Sequence, residues 1–245
     1  MFPSGALPDM QESGFLSKLD DLNGGGWYRS DFTIKKPSFR TRWSRRSVDT
    51  GSEDGAVLLW LAPALPEAEK DFVGAELQRQ RATRYGRYEV VMTPAQGEGV
   101  ISSFFTYTGP YFGNRHNEID FEFLGRDTTK VWVNRFADGK KLPGQWIELG
   151  FDAAADPHLY AIEWAEDSLT WFADGKELLR ISAQDTAIPS VAQKIYLNIW
   201  GGAEGQRNWS GLAPPDMVAA ARYYCVSYRP PGDPGRQCSD LPAPK

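Results

Sequence analysis

The sequence predicts an all-β fold, a β-jelly-roll sandwich of two antiparallel sheets. Short stretches alternate apolar and polar side chains with the period of two that a strand requires, and turn residues separate them. The chain has nine Trp, ten Tyr and thirteen Phe but only four Met, and aromatic residues are favoured in strands. Many short strands with few helical patterns are typical of a two-sheet sandwich.

The alternation is clearest in four stretches that we predict to be strands: Tyr88–Met92, Ile101–Tyr107, Val131–Phe136 and Ile195–Trp200. The segment Trp171–Lys176 is predicted to form a hairpin. Its central Asp174-Gly175 dipeptide readily adopts the two positive φ angles that a type I′ turn needs.

The length of 245 residues fits one domain with a single core, which we assign to residues 27–229. Residues 1–26 contain Pro3, Pro8 and three consecutive glycines, so we expect an irregular arm packed on the domain. Residues 230–245 are rich in Pro and Gly, show no periodicity and are expected to be a tail on the surface.

The overall charge argues against two classes of partner. The 32 acidic and 27 basic residues give a formal net charge of -5, too balanced to attract nucleic acid or an anionic membrane through the global field. No apolar run approaches the roughly 18 residues that span a bilayer, and residues 1–26 lack the pattern of an export signal. We expect a monomer with no nucleic-acid partner, no membrane span and no cofactor.

Cys225 and Cys238 are the two cysteines of the chain. A disulfide between them is favoured over two free thiols, and it would indicate an oxidising compartment. We therefore expect a secreted or periplasmic protein whose export signal is not part of this chain. Two cysteines are too few for a structural zinc site, which needs about four clustered ligands.

Three acids occupy every second position of one predicted strand. Alternation places Glu118, Asp120 and Glu122 on one face together with His116, while the residues between the acids are large and apolar. Carboxylates about 7 Å apart along a strand repel one another and raise one another's pKa. The apolar face is predicted to be core, and the acidic face to line a solvent-filled cleft.

Three interpretations of the acidic face are open. An ordinary solvated face usually interleaves acids with Lys or Thr, which this strand does not. A calcium site is disfavoured because acids on one straight strand rarely wrap a cation. Glycoside hydrolysis with retention needs a nucleophilic carboxylate and a protonated one about 5 to 5.5 Å apart. The Cα atoms of Glu118 and Glu122 are about 13 Å apart on an extended strand, so the sheet must curve to bring their carboxyl groups together. Asp120 lies between them and can hold a proton.

The segment Glu118-Ile119-Asp120-Phe121-Glu122 resembles the E-I-D-x-E signature of glycoside hydrolase family 16. SSFFTYTGP at 102–110 and EFLGRDTTKV at 122–131 resemble its licheninase (endo-β-1,3-1,4-glucanase) branch, and the likeness runs from Trp27 to Tyr228. The resemblance implies a jelly roll with a substrate cleft across its concave sheet. It also implies Glu118 as nucleophile, Glu122 as general acid/base and Asp120 as the assisting acid.

The spacing of the signature separates branches of the family. Laminarinases, agarases and carrageenases typically carry an extra residue before the last Glu, which forms a bulge, and this chain does not. The plant xyloglucan endotransglycosylases share the unbulged motif, which differs here at Asn117.

Further residues are substrate-binding candidates. The family resemblance implies this role for Glu76, Phe105, Tyr107, Asn134, Trp200 and Trp209. Alternation places Tyr196, Asn198 and Trp200 on one polar face, and aromatic rings on such a face suit the CH-rich faces of a sugar chain. Phe136 is also a candidate, although for Phe105, Trp132 and Phe136 the sequence leaves core packing open.

The chain departs from the licheninase pattern at several positions. Gln78 replaces an Arg and His116 replaces a Trp, and both resemble endoglycanases of succinoglycan-type exopolysaccharides. His116 is interpreted as a substrate contact rather than a core histidine. Thr41 and Gly74 occupy the positions of a licheninase disulfide, and Tyr224 that of a calcium ligand, so neither this disulfide nor bound calcium is expected.

A basic segment covers residues 35–46 and contains Lys35, Lys36, Arg40, Arg42, Arg45 and Arg46. Such a run is usually a solvated face. The alternative is that it binds carboxylates of an acidic polysaccharide at one end of the cleft. Lys35 also falls near a substrate-binding Asn of licheninases and is a substrate-binding candidate for that reason.

The leading hypothesis is a retaining endo-β-glycanase that hydrolyses internal β-1,4 or β-1,3 linkages of a β-glucan. The alternatives are an endoglycanase for an acidic bacterial exopolysaccharide, a transglycosylase with the same double-displacement chemistry, and a non-catalytic carbohydrate-binding lectin. The partner is a polysaccharide in every case. Three acids weigh against the lectin, because binding alone needs no proton donor beside a nucleophile.

Overall fold

The computed structural model describes residues 13–19, 22, 26–36 and 39–244. These residues form eighteen strands and one short α-helix, Arg207–Ser210. The strands are β1 Phe15–Ser17, β2 Trp27–Arg29, β3 Phe32–Thr33, β4 Thr41–Trp43, β5 Val48–Asp49, β6 Val57–Pro63, β7 Phe72–Arg79, β8 Gly86–Thr93, β9 Val100–Thr108, β10 Asn117–Leu124, β11 Lys130–Ala137, β12 Lys140–Lys141, β13 Gln145–Glu148, β14 His158–Trp164, β15 Ser168–Ala173, β16 Lys176–Ser182, β17 Lys194–Gly201 and β18 Ala219–Arg229.

The strands form two sheets that pack face to face. The cleft sheet has the order β2, β7, β17, β9, β10 and β11, with β12 and β13 both paired along the outer edge of β11. The back sheet has the order β6, β18, β8, β14, β15 and β16, with β5 outside β6 and β1 beside the end of β18. The predicted all-β sandwich is confirmed, and β4 beside β7 is the one parallel pair among the described strands.

Aromatic side chains fill the space between the sheets and tie the cleft sheet to the back sheet. Trp171 of β15 is fully buried, and its Nε1 donates a hydrogen bond to the backbone oxygen of Asp120, 3.0 Å away. The hydroxyl of Tyr223 on β18 donates to the backbone oxygens of Ser103 and Asn198 at 2.9 and 3.1 Å. Burying one such ring stabilises the fold by roughly 1.5–3 kcal/mol. The hydrogen bonds also hold β10, β9 and β17 of the cleft sheet at a fixed distance from the back sheet.

All four predicted strands are confirmed, and each extends one or two residues beyond its alternating stretch at either end. The predicted hairpin is also confirmed, because Asp174 and Gly175 connect β15 to β16 with φ angles of 47° and 78°. Asp138 and Gly139 form a second turn of this type, with φ angles of 51° and 82°, between β11 and β12. The same dipeptide could have predicted that turn.

The arm and the tail are more ordered than the sequence suggests. Residues 1–12, 20, 21 and 23–25 of the expected arm lie outside the described residues. Phe15–Ser17 forms a strand where an irregular segment is expected, because it pairs with Tyr228–Val226 at the open edge of β18. In the tail, Cys238 is bonded to Cys225 of β18, and the backbone N–H of Ser239 donates to the buried Glu89 carboxylate at 2.9 Å.

Two positions that differ from the licheninase pattern have clear packing roles. Gly74 lies against Thr41, since a Cβ added at Gly74 would come within 2.6 Å of the Thr41 methyl carbon. The hydroxyl of Tyr224 donates to Asp54 at 3.0 Å, and Asp54 is also paired with Arg222 at 2.6 Å. In the part of the chain that the structure describes, no helix is long and apolar enough to cross a bilayer.

Candidate active site

The acid strand β10 runs through the middle of the cleft sheet without a bulge. Its pairing with β9 covers Asn117–Leu124 with no shift of register, and its pairing with β11 is also regular. Ile119, Phe121 and Phe123 are fully buried between the sheets. The alternation therefore points the three acids away from the core, onto the outer face of the cleft sheet.

Cross-strand partners share a face, so the pairing of the strands arranges the candidate residues in three rows across the cleft sheet. The Glu118 row is Lys194, Tyr107, Glu118, Phe136 and Lys141. The Asp120 row is Gln78, Tyr196, Phe105, Asp120 and Asn134. The Glu122 row is Glu76, Asn198, Ser103, Glu122, Trp132 and Trp146.

Burial and mutual repulsion keep protons on two of the three acids. Burial raises the pKa of Glu122 to about 8, with the negative charge of Glu118 adding to the effect. Asp120 is 3% exposed, and its burial, together with the charges of Glu118 and Glu122, raises its pKa well above the ordinary value. The positive charge of Lys141 opposes both shifts. Glu122 can therefore act as a proton donor near neutral pH.

Glu118 is held from two sides. The protonated Asp120 carboxyl donates a hydrogen bond to it, and Nε2 of His116 contacts Oε2 of Glu118 within hydrogen-bonding distance. The His116 ring is stacked on Phe136 with centroids 4.0 Å apart, and Tyr107 meets it edge-on at 5.3 Å. His116 was expected to contact substrate, and its position makes it a partner of Glu118.

A fourth acid, Glu76, lies across the sheet in the Glu122 row. Burial raises its pKa to about 7, although hydrogen bonds from Ser30, Gln78 and Asn198 lower it. Ser30 Oγ and Gln78 Nε2 donate to Oε1 of Glu76 at 2.7 and 2.9 Å. Gln78, which replaces the Arg of licheninases, is thus tied to Glu76 and Ser30 by its amide.

Several polar atoms on the cleft floor have no partner. Ser103 Oγ, Asn134 Oδ1 and Asn198 Oδ1 are buried and accept no hydrogen bond from any described residue. Buried polar atoms are normally hydrogen-bonded. They lie in the Asp120 and Glu122 rows beside the acids, so they are available to the hydroxyl groups of a ligand.

The aromatic candidates divide into two groups. Phe105 stacks on Tyr196 at 5.0 Å, and Tyr107 meets Tyr196 edge-on at 5.9 Å, so these three form part of the cleft floor. Trp200 is 7% exposed and packs in an apolar cluster, with Phe39 stacked on it at 5.0 Å. Trp209 is partly buried against the same cluster, which closes one end of the floor.

Within the described ranges, two carboxylates form ion pairs with three of the six basic side chains of the basic segment. Arg40 pairs with Asp71 at 2.6 Å, and Arg42 and Arg45 both pair with Asp31, at 3.1 and 2.9 Å. Lys35 is exposed, and its side chain forms no hydrogen bond or ion pair with a described residue. Among the described residues, no hydrogen bond or ion pair links Lys35 to the three acids.

Sequence reasoning missed four residues of the rows: Ser103, Trp146, Lys141 and Lys194. The alternation that puts Phe105 and Tyr107 on one face of β9 also applies to Ser103, two positions earlier. Lys194 continues the spacing of Tyr196 and Asn198 on β17. Trp146 and Lys141 gave no comparable signal, because their strands have four and two residues.

The chain is also similar to known proteins in sequence and in fold. The family profile described as glycosyl hydrolases family 16 matches residues 35–215. A β-glucanase of Bacillus amyloliquefaciens is 37% identical over 215 residues, which cover 88% of this chain and 87% of that protein. The crystal structure of a prokaryotic β-1,3-1,4-glucanase (lichenase) from a mouse hindgut metagenome has a TM-score of 0.83 at 35% identity, covering 89% of this chain and 100% of that chain. The Bacillus licheniformis β-glucanase structure has a TM-score of 0.81 at 36% identity, covering 89% and 98%.

The raised pKa values predict how stability depends on pH. A carboxyl with a raised pKa in the folded state stabilises the fold below its unfolded pKa, and this stability is lost as the pH rises through the folded value. The free energy of unfolding should therefore fall between about pH 5 and about pH 8, since Glu76 and Glu122 have folded pKa values of about 7 and about 8.

Glu122→Gln should flatten this slope by up to about 1.4 kcal/mol per pH unit, as measured by urea unfolding from pH 5 to 8.5. Glu67→Gln, a change at an exposed acid, should leave the slope unchanged. Equal slopes for Glu122→Gln and the unsubstituted chain would show that Glu122 titrates at its ordinary pKa.

Proposed function

The chain belongs to the glycosyl hydrolases of family 16 and is a retaining, endo-acting glycoside hydrolase; we propose which residues carry its reaction and that its polymer is a β-glucan. The observation that carries the proposal is the pair of unlike acids on β10. Glu122 holds a proton near neutral pH, and Glu118 accepts a hydrogen bond from Asp120. Retaining glycoside hydrolysis needs one carboxyl of each kind.

In the first step, the Glu118 carboxylate attacks the anomeric carbon and the bond to the leaving oxygen breaks. Glu122 gives its proton to that oxygen, so the departing chain leaves as an alcohol. In the second step, Glu122 takes a proton from water, and the water oxygen displaces Glu118 from the sugar. Two inversions return the original β configuration.

Asp120 and His116 are proposed to position Glu118. The Asp120 carboxyl donates a hydrogen bond to Glu118, and the Trp171 hydrogen bond to the Asp120 backbone oxygen holds that part of β10 against the core. The stacked ring of His116 presents Nε2 to Oε2 of Glu118. Contacts on both sides restrict the carboxylate to few orientations, which favours attack at one atom.

The neutral polymer is supported by the cleft floor. The stacked Phe105 and Tyr196 rings offer flat apolar surface, and the unpartnered oxygens of Ser103, Asn134 and Asn198 accept from hydroxyl groups. Glu76 adds a fourth acceptor. Rings that pack on CH groups, with nearby acceptors, are the usual way to bind uncharged sugars. The relatives named above are β-glucanases.

Azide rescue distinguishes the proposed roles of the two acids. In Glu118→Ala, azide should enter the space left by the side chain and attack an aryl β-glucoside with a good leaving group. The product should be the glycosyl azide with inverted configuration. In Glu122→Ala, Glu118 still forms the covalent intermediate, so azide should give the retained product.

The two configurations are separated by proton NMR, and hydrolysis of β-glucan by either variant should fall at least 10²-fold. Undiminished hydrolysis by Glu118→Ala, or an inverted azide from Glu122→Ala, would reject the assignment.

A second candidate polymer is an acidic β-glycan, and one observation favours it. Lys194 is half-buried at the end of the Glu118 row, with Nζ 4.6 Å from the Phe112 ring centroid. Burial lowers the pKa of Lys194, and among the described residues its Nζ has no carboxylate partner. A carboxylate on the polymer would supply one. Three arginines of the basic segment, Arg40, Arg42 and Arg45, already have carboxylate partners.

Neutral and carboxymethylated β-glucan separate the two candidates when turnover by Lys194→Met is measured. If the natural polymer is acidic, Lys194→Met should lower kcat/KM on the charged polymer about tenfold or more. Its kcat/KM on the neutral polymer should change little. Equal losses on both polymers would reject the acidic candidate.

A further inference from the structure

A tryptophan pair, one ring partly buried and one exposed, lies on the cleft sheet beyond Glu122. Trp132 of β11 is the direct cross-strand partner of Glu122, and Trp146 of β13 is the partner of Trp132. Trp146 is 43% exposed, one of the most exposed large apolar side chains of the described residues. The pair continues the Glu122 row to the edge of the sheet.

The orientation of the pair follows from its neighbours. Val131 is fully buried and is paired with Ile147, which packs partly buried against the main core. Successive side chains on a strand point to opposite faces. Trp132 and Trp146 therefore lie on the outer face, which is the face that carries Glu118, Asp120 and Glu122.

Local packing holds Trp132 and leaves Trp146 open. The two ring centroids are 5.1 Å apart with an interplanar angle of 66°, so Trp132 meets the Trp146 ring edge-on. Gly144 lies directly against the Trp132 ring, because a Cβ added at Gly144 would lie 2.4 Å from Cζ2 of Trp132. Any larger residue at position 144 would displace this ring. The result is a fixed tryptophan that supports an exposed one.

The two sides of Glu122 differ in chemistry. Toward β17 and β7, the row carries the unpartnered Ser103 and Asn198 oxygens and Glu76. Toward β13, it carries only the two indole rings. A pyranose ring combines both characters, with hydroxyl groups at its rim and CH groups on its faces. An exposed ring in a cleft with acceptors gains most when a sugar covers it.

We propose that Trp132 and Trp146 form a sugar-binding subsite on the β13 side of Glu122, in which a pyranose ring of the polymer stacks on Trp146. The subsite rests on the proposed function, since it takes Glu122 to be at the bond that breaks. It binds only a chain long enough to extend past Glu122 toward β13. A substrate with a small leaving group there does not reach the tryptophans.

The length of the substrate therefore provides the test. In Trp146→Ala, kcat/KM on β-glucan polymer should fall about tenfold. In an aryl β-oligoglucoside, the sugars occupy the other side of Glu122 and only the small aryl group lies on the β13 side. The kcat/KM of Trp146→Ala on this substrate should therefore stay within about twofold. Trp146→Phe keeps a flat ring and should retain most of the polymer activity.

Trp60→Ala is the matched control, because Trp60 is 36% exposed on β6 of the back sheet and its loss should change neither activity. Melting temperatures of all three variants close to that of the unsubstituted chain would exclude unfolding as the cause of a lost activity. An unchanged polymer activity in Trp146→Ala, or an equal loss on polymer and aryl substrate, would overturn the subsite.

Failure of the catalytic assignment gives a different result. The aryl substrate depends on Glu118 whether or not the tryptophans bind sugar. Full activity of Glu118→Ala on that substrate would reject the proposed function, whereas a length-independent effect of Trp146→Ala rejects the subsite alone.

Discussion

The repulsion among three carboxyl groups on the outer face of one strand is the constraint on which the site depends. Glu118, Asp120 and Glu122 follow one another at every second residue of β10, so none can turn away without breaking the pairing of the strand. All three cannot ionise together in such surroundings. Burial and the charge of Glu118 leave protons on Asp120 and Glu122, and this unequal distribution separates a proton donor from a nucleophile.

The sandwich keeps the repelling groups in place from behind. The apolar side chains of β10 are fully buried, and Trp171 and Tyr223 reach from the back sheet to hydrogen-bond the backbones of β10, β9 and β17. Moving the acids apart would break these buried contacts. Lys141 is the one basic side chain that acts on both protonated acids among the described residues, and from the edge of the sheet its positive charge limits the rise of their pKa values.

Local patterns predicted the parts that depend on local geometry. Alternation placed the acids, Tyr196 and Asn198 on the cleft face, and Asp174-Gly175 marked a hairpin. Alternation could not show that Phe39 covers Trp200, or that Asp31 and Asp71 pair with three arginines of the basic segment. Those contacts join positions up to 161 residues apart, between Phe39 and Trp200, and sequence spacing carries no information about them. Membership of a hydrolase family favours an enzyme over the lectin that the sequence left open.

Carbon NMR of the chain labelled at its Asp and Glu side-chain carboxyls tests the unequal protonation most directly, with Asp120→Asn and Glu122→Gln used to assign the signals. We expect the Glu122 signal to titrate near pH 8 and the Asp120 signal to titrate well above the range of exposed aspartates. Ionisation of both groups at about pH 4, as in exposed carboxyls, would contradict the separation of proton donor and nucleophile on β10.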